Sequence, residues 1–595
     1  MSIKLNTLRK LMTDKAYDFY LVPSIDDHNN EYVPKCWAYR EWISEFDGSA
    51  GDVLVTSDHA YLSTDGRYFT QALDQLDNNE FSLLKQKAYA SEIESWLDDN
   101  FAGKTLAVDP KKINITRAEN LLKLAEKHNA KVVFDNENLV ALAQQELKDT
   151  KDIPVSEVFL HEIQYTGQST KSKLSNIRKE LKENNQTALV VSSLDDIAWS
   201  LNIRGRDTQN TPVSISYLVV TLDQTYFYVD EQKLTNEVKD YLSENAITVK
   251  NYSQFFIDLA EYEAKYLLDN RSANFAMKQA ISQNNDSVIT VDKSPITLSK
   301  ALKNSMELNG SQEAHRKDAA AFIKWWWWME NNFEGKTELD AMAKLRECRA
   351  EQKGYVEDSF SYIVGHGANG AVIHYNAKDD ENLKTIDDKA PLLCDSGGQY
   401  NEGTTDITRV LHFGRPESEH RRYYTLVLKG HLGLGRAVFP QGTVGSQLDI
   451  LAREHLWHFC SDYGHGTGHG VGSFLGVHEG PQSIGPKAQV PLMPGMILSN
   501  EPGAYFPGEF GIRIENLCYV KERKQDSPTG HGPFYCFEDL TLIPYEFKLI
   551  ETWMLTYTEK KTINNYYSRI RKEVLPLVQE QEVKDFLLFK TRHIK

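Results

Sequence analysis

The stretch PLLCDSGGQYNEGTTDITRVLHF places Asp395 at the end of one apolar run and Asp406 at the start of another, with a Gly-rich turn between them. A hairpin of this kind folds the two carboxylates toward each other, and two such anions repel unless a cation lies between them. Asp beside Gly is also ordinary turn chemistry, and taken alone the hairpin favours that plainer explanation. Further on, YGHGTGHGVGSFLGVHEGP carries His465, His469 and His478 among closely recurring glycines. Glycine lets backbone come close to a ligand, and histidine is the commonest metal ligand and the commonest acid–base group. One buried histidine would need no special account, but three in a single Gly-rich segment do. A third stretch, MILSNEPGAYFPGEFGIRIENLCYV, delivers Glu501 after one expected strand and sets Arg513 and Glu515 on the same face of another, by the period of two. Arg513 and Glu515 could simply pair with each other. Together the three stretches supply four carboxylates and an imidazole. An oxygen-rich set of this kind suits Mn²⁺, with Zn²⁺ or Co²⁺ as alternatives, and carboxylates can bridge two ions about 3.5–4 Å apart that clamp one hydroxide.

These groups need a strand-rich scaffold, and the region 311–550 reads as one. A helical start, EAHRKDAAAFIKWWWWMENNF, leads into Gly-rich strands (LLC, ITRVLHF, MILSN and FGIRIENLCYV). Residues 551–595 read as a strand-poor, helical extension around NNYYSRIRKEVLPLV. Before the catalytic region, residues 1–152 alternate short apolar strands (DFYLVP, GDVLVTS, HAYLST, KTLAVDP) with helical stretches (LNTLRKLM, SEIESWLDDNF). Residues 153–310 restart the pattern with SKLSNIRKELKENN, TALVVSS, SYLVVTLD and TYFYVDE. The expected class is α/β, with an α+β catalytic domain and a possible duplication of the first fold. Trp325 to Trp328 would point in every direction from a helix, so they are expected to pack against other elements rather than bind a ligand.

The bulk properties narrow the function classes. With 595 residues there is room for three or four domains. A formal net charge of −17 disfavours nucleic acid and anionic membranes as partners. Six scattered cysteines without a CxxC pair read as reduced thiols. The first residues lack a secretory apolar stretch, no apolar run is long enough to span a membrane, and FKTRHIK is no anchor. The expectation is a cytoplasmic, soluble protein.

The order Asp395, Asp406, His469 in HGTGHGVG, Glu501 in NEPG and Glu515 in GIRIEN resembles the aminopeptidase P and prolidase group, whose catalytic fold is the pita bread. FDGSAG and TDGRYF in the first segment, LDDIAWSLNIRG in the second and NGAVIHY in the third are similar to the three-domain, cytosolic-type Xaa-Pro aminopeptidases of the creatinase/prolidase/methionine aminopeptidase superfamily. The resemblance covers nearly the whole chain and all five ligand positions are filled. It implies two creatinase-type domains ahead of the pita bread, two divalent metal ions per subunit, most readily Mn²⁺, and a homodimer. Asp395 and Asp406 would hold one ion, and Asp406, His469, Glu501 and Glu515 the other, with Glu515 bridging. His374, His465 and His478 would form the substrate shell. The implied reaction is attack of a bridging hydroxide on the carbonyl before proline. In it Glu501 is general base, His478 supports the oxyanion, His374 and His465 orient the peptide, and Arg513 fixes a ligand carboxylate from behind. The alternatives are a prolidase restricted to Xaa-Pro dipeptides, a methionine aminopeptidase, and a non-catalytic pita-bread interaction module. The last is expected to lose ligands that are all present here.

Overall fold

The structure is a computed structural model that describes residues 2–87, 91–378, 382–524 and 528–595. It divides into two compact units. One comprises Met1–Ile163 and Gln168–Thr297, the other Gln164–Gly167 and Leu298–Lys595.

The first unit holds two six-stranded mixed sheets. In one the strands run in the order 81–85, 60–64, 52–56, 19–22, 105–108, 131–134; in the other, 248–251, 225–229, 216–221, 188–191, 265–269, 288–292. Neighbours are parallel, antiparallel, antiparallel, parallel and parallel in both. The fold is therefore used twice, with no residue-level repeat to advertise it. Central strands such as Phe19–Val22 and Ala188–Val191 are buried along their whole length. That burial explains why they read as unbroken apolar runs rather than as alternation.

The second unit packs helices Ser305–Asn332, Glu338–Ala350, Ser418–Gly435 and Gly445–Trp457 with antiparallel sheets. Its first helix starts at a capping box, in which Asn304 and Glu307 satisfy each other's backbone donors. Trp325 and Trp326 on that helix are fully buried, whereas Trp327 and Trp328 are half-buried. Trp326 meets Phe586 of the last helix, Gln581–Lys590, at 5.8 Å between ring centroids. Lys590 Nζ lies 4.3 Å from the same indole and donates to Glu330 and Glu546. The tryptophan run thus packs the C-terminal helices onto the unit's own core.

Two sheets position the chemistry. A three-stranded sheet orders Ile363–His366, Leu392–Ser396 and Ile407–Leu411. A six-stranded sheet contains Asn516–Glu522, Ile497–Asn500, Gly468–Gly470 and Glu479–Ile484 as consecutive neighbours. One expectation is revised: FGIRIENLCYV is not one strand. Phe510–Arg513 pairs with Gly503–Phe506, whereas Asn516–Glu522 joins the large sheet. Glu515 sits in the break, where its N–H donates to Thr408 O at 3.1 Å and so ties one sheet to the other. Among the described residues, no helix is long and apolar enough to cross a membrane.

Candidate metal centre

Strand registers bring the acidic groups together. Asp395 is paired with Thr408, so Asp406 lies just before the return strand, one step beyond the Ser396–Ile407 pair. Asn500 is paired with Asn516, which leaves Glu501 and Glu515 at the same end of their ladder. His469 lies in the short strand next to them, and this strand can approach because residue 468 is glycine. A Cβ there would stand 2.0 Å from Ser499 O. Glycine is equally required at 511, where a Cβ would stand 1.7 Å from Gly370 O. That contact seats the NGAVIHY turn, and His374 just beyond it, against the strand that carries Arg513.

Ligand atoms of Asp406, His469 and Glu515 all lie within 4.8 Å of one another. His469 Nε2 is 3.5 Å from Asp406 Oδ2 and 3.5 Å from Glu501 Oε1. The other ring nitrogen, Nδ1, donates to Gly470 O at 2.9 Å. In the neutral ring Nε2 therefore carries a lone pair, and it faces two carboxylates. Either a proton or a cation must sit between them. Without a cation the proton is favoured: although burial opposes the charge, Asp406 and Glu501 raise the His469 pKa to about 9.

The carboxylates tell the same story. Burial pushes Asp395 up to about 7 even though Arg513 pulls it down, and Asp406 adds repulsion. Burial raises Glu501 as well, and Glu515 goes well above the usual carboxylate range for burial and for repulsion by Asp406, Glu501 and Asp395. Asp395 Oδ1, Asp406 Oδ1 and Glu515 Oε1 are buried with no hydrogen-bond partner among the described residues. Orphaned buried carboxylate oxygens are costly, and three of them beside an imidazole lone pair fit divalent cations well.

Support for the ligands comes from residues that motif reading largely missed. Arg513, which was expected behind a ligand, donates from Nη2 to Asp395 Oδ2 at 2.5 Å rather than pairing with Glu515. Its Nε donates to Thr408 Oγ1 at 3.1 Å, and that hydroxyl donates on to Glu515 Oε2 at 2.9 Å. Its Nη1 donates to Tyr505 OH at 2.8 Å. His465 Nδ1 donates to Gly466 O at 2.7 Å, so its Nε2 accepts from Tyr505 OH at 2.8 Å. Ser499 Oγ donates to Glu501 Oε1 at 3.1 Å. His478 meets His469 edge to face, 4.4 Å between centroids. His374 is half-buried beyond the turn Gly367–Ala371. Hydroxyl groups as common as those of Thr408, Ser499 and Tyr505 carry no signal in a single sequence.

Family models match four consecutive stretches. The creatinase/prolidase N-terminal domain matches residues 4–141 and 149–307, metallopeptidase family M24 matches 309–522, and the C-terminal region of peptidase M24 matches 533–594. A probable Xaa-Pro aminopeptidase P of Sordaria macrospora is 43% identical, with 99% of this chain and 98% of that protein covered. Another, from Neurospora crassa, is 43% identical over 96% of this chain and 86% of its own length. Among solved structures, the X-prolyl aminopeptidase from Caenorhabditis elegans, a cytosolic enzyme with a di-nuclear active site, superposes with a TM-score of 0.95 at 32% identity over 100% of both chains.

Proposed function

The chain belongs to the Xaa-Pro aminopeptidase P family, within metallopeptidase family M24, and on that footing we propose that it releases the N-terminal residue from peptides with proline second. The observation that carries this reading is the convergence of Asp406, His469 and Glu515, flanked by Glu501 and Asp395, in a chain that aligns end to end with enzymes named for that activity. Asp395 and Asp406 would hold one divalent ion, and Asp406, His469, Glu501 and Glu515 a second, Mn²⁺ in our reading. When bound, such ions supply Lewis acidity and bring the pKa of water toward neutrality.

The chain's own groups do the rest. Arg513 and Thr408 hold the Asp395 and Glu515 carboxylates in fixed directions. Glu501, oriented by Ser499, takes the proton of the attacking water and passes it to the proline nitrogen as the C–N bond breaks. His478 donates to the oxygen that becomes negative at the attacked carbonyl. His465, held by Tyr505, and His374 line the substrate side and orient the peptide. A dedicated enzyme is needed because the X-Pro amide is tertiary and lacks an N–H, and the bond cut is the prevalent trans form.

The same reading places the protein in the cytoplasm and makes it a homodimer. Trp457, 46% exposed, ends one helix and Phe459, 47% exposed, follows it; Trp553, 79% exposed, lies in a short 3-10 turn just before the helix that Tyr557, 81% exposed, begins. Lys429 donates to Met554 O and Glu559 beside the second group. Large exposed aromatics of this kind support a protein contact. For domain organisation we propose two creatinase-type domains, 1–152 and 153–310, then the pita-bread domain 311–550 with its extension 551–595.

A peptide panel read by mass spectrometry tests the activity. Mn²⁺-loaded protein should cut Arg-Pro-Pro to Arg and Pro-Pro, spare N-acetylated Arg-Pro-Pro and cut Arg-Ala-Ala poorly. Cleavage of Arg-Pro with Arg-Pro-Pro untouched would make it a prolidase. Equal rates on Arg-Ala-Ala would remove the proline selectivity.

A further inference from the structure

The chain leaves the large sheet after Gly470, makes a loop that carries His478, and returns at Glu479, with Gly470 and Glu479 paired at its base. Inside the loop Gly472 N donates to Gly476 O at 3.0 Å. Phe474 is fully buried with φ of 53°. That conformation costs a non-glycine residue about 1–3 kcal/mol and persists only where the surroundings impose it.

Two clamps impose it. At the tip, Gln399 Nε2 and Thr404 Oγ1 donate to Leu475 O at 2.8 and 3.1 Å, and Leu475 N donates back to Thr404 Oγ1 at 3.2 Å. At the return, the Glu479 carboxylate accepts a short hydrogen bond from Lys303 Nζ, and Lys300 Nζ stands 3.8 Å from its other oxygen. These side chains are at most 4% exposed. Lys303 is itself fixed, by Nζ to Lys300 O at 2.8 Å and by its N–H to Gly495 O at 3.1 Å. Burying ions costs several kcal/mol each, so pairing of this sort is poor value for stability alone. Lys303 precedes the 309–522 match to the catalytic family model. Its carboxylate partner immediately follows His478.

We propose that Lys303 and Glu479 are a positioning pair for His478. By holding the Glu479 side chain they fix where the loop rejoins the sheet, and through the adjoining peptide the direction in which the His478 ring meets the substrate carbonyl. The inference rests on the reading of His478 as a substrate-side residue. The members of the pair bond to each other and to Lys300 and supply no ligand themselves, so their loss should separate turnover from metal content.

The test uses the full chain and Arg-Pro-Pro. Lys303→Arg keeps the charge but displaces the carboxylate with a forked head, and Lys303→Met with Glu479→Gln removes both charges without leaving a lone buried ion. Each is made alone and together with His478→Ala, and kcat, KM and bound Mn²⁺ per subunit are measured. Small misplacements cost up to a hundredfold in rate, so kcat/KM should fall about tenfold in the neutral pair and about threefold in Lys303→Arg, mostly in kcat, with bound Mn²⁺ unchanged. Neither change should lower kcat/KM further once His478 is alanine, because residues acting through one another are not additive. Losses that multiply with that of His478→Ala, or no loss in either variant, overturn the proposal. If the neutral pair fails to fold, the Lys303→Arg cycle decides by the same criterion. A wild-type rate in His478→Ala alone sinks the role of His478 and the pair's role with it. Failure of unaltered, Mn²⁺-loaded protein to release Arg sinks the proposed activity itself.

Discussion

Replacing Arg513 by Gln should weaken metal binding without opening the fold. The guanidinium is 2% exposed and spends all three of its nitrogens on the site: on Asp395, on Tyr505 and on the Thr408 hydroxyl that reaches Glu515. In the metal-free protein the Asp395 carboxyl sits at about 7 with Arg513 already opposing the rise. Without the cation it climbs further, so at neutral pH a proton competes with the metal for the same oxygens. Loss of a partner behind a ligand typically costs 10- to 100-fold in metal affinity, about 1.4–2.7 kcal/mol. The sign follows from the same shift: half-loading with Mn²⁺ moves to higher pH in the variant. Calorimetric titration of chelator-treated protein with Mn²⁺ from pH 6 to 8.5, beside circular dichroism of the same samples, reads both effects. Affinity within twofold of the parent at every pH, with an unchanged dichroism spectrum, would refute the coupling of Arg513 to Asp395.

Further outcomes follow from the same geometry. Glu501→Gln should lower kcat at least about a hundredfold with the fold retained, and His469→Ala should lose both bound metal and rate; near-normal Mn²⁺ content and turnover in His469→Ala would remove it from the ligand set. The metal-free protein should melt at progressively lower temperature as pH rises from 6 to 9. Asp395, raised to about 7, and His469, raised to about 9, both favour their protonated forms in the folded state, and stabilisation of that kind is lost as pH climbs through those values. Added Mn²⁺ should flatten or reverse the trend, and a flat metal-free profile in scanning calorimetry would count against the repulsive cluster. Lys590→Met leaves the buried Glu546 carboxylate without its ammonium, while Glu330 keeps Lys548, and should destabilise by about 3 kcal/mol in urea unfolding, whereas a cost under about 1 kcal/mol would show that the last helix does not depend on this ion pair.

Much of the catalytic scaffold was legible because its acidic residues interrupt strongly apolar strands. LLC before Asp395, ITRVL after Asp406 and MILSN before Glu501 are core strands, and the charges lie at their ends: Asp395 is the last residue but one of Leu392–Ser396, Asp406 precedes Ile407–Leu411 and Glu501 follows Ile497–Asn500. The packing role expected of the four tryptophans rested on their pointing in every direction from a helix, and full burial of Trp325 and Trp326 is its physical counterpart. The break at Ile514–Glu515 was not legible. IRIE alternates and the period fails at Asn516, but that alone does not say that two different sheets are joined there; what fixes the break is a partner far away in the chain, the Thr408 carbonyl. Long-range polar ties were equally silent. Lys303 and Glu479 are 176 positions apart, and Arg513 lies 118 from Asp395. Local spacing encodes which atoms a strand can present, whereas the choice of partner is made by the folded sheets. The repeated sheet order of the first unit shows the same limit, since topology recurs there without recurrence of residues.

The most direct measurement is the rate of Arg release from Arg-Pro-Pro by chelator-stripped protein as Mn²⁺ is added back, with bound metal counted on the same samples. Activity should be absent without metal and rise until two ions are bound per subunit, and Glu515→Gln should abolish both the binding and the rate. Full release of Arg by protein shown to be metal-free would contradict the assignment of Asp395, Asp406, His469, Glu501 and Glu515 as a catalytic metal centre.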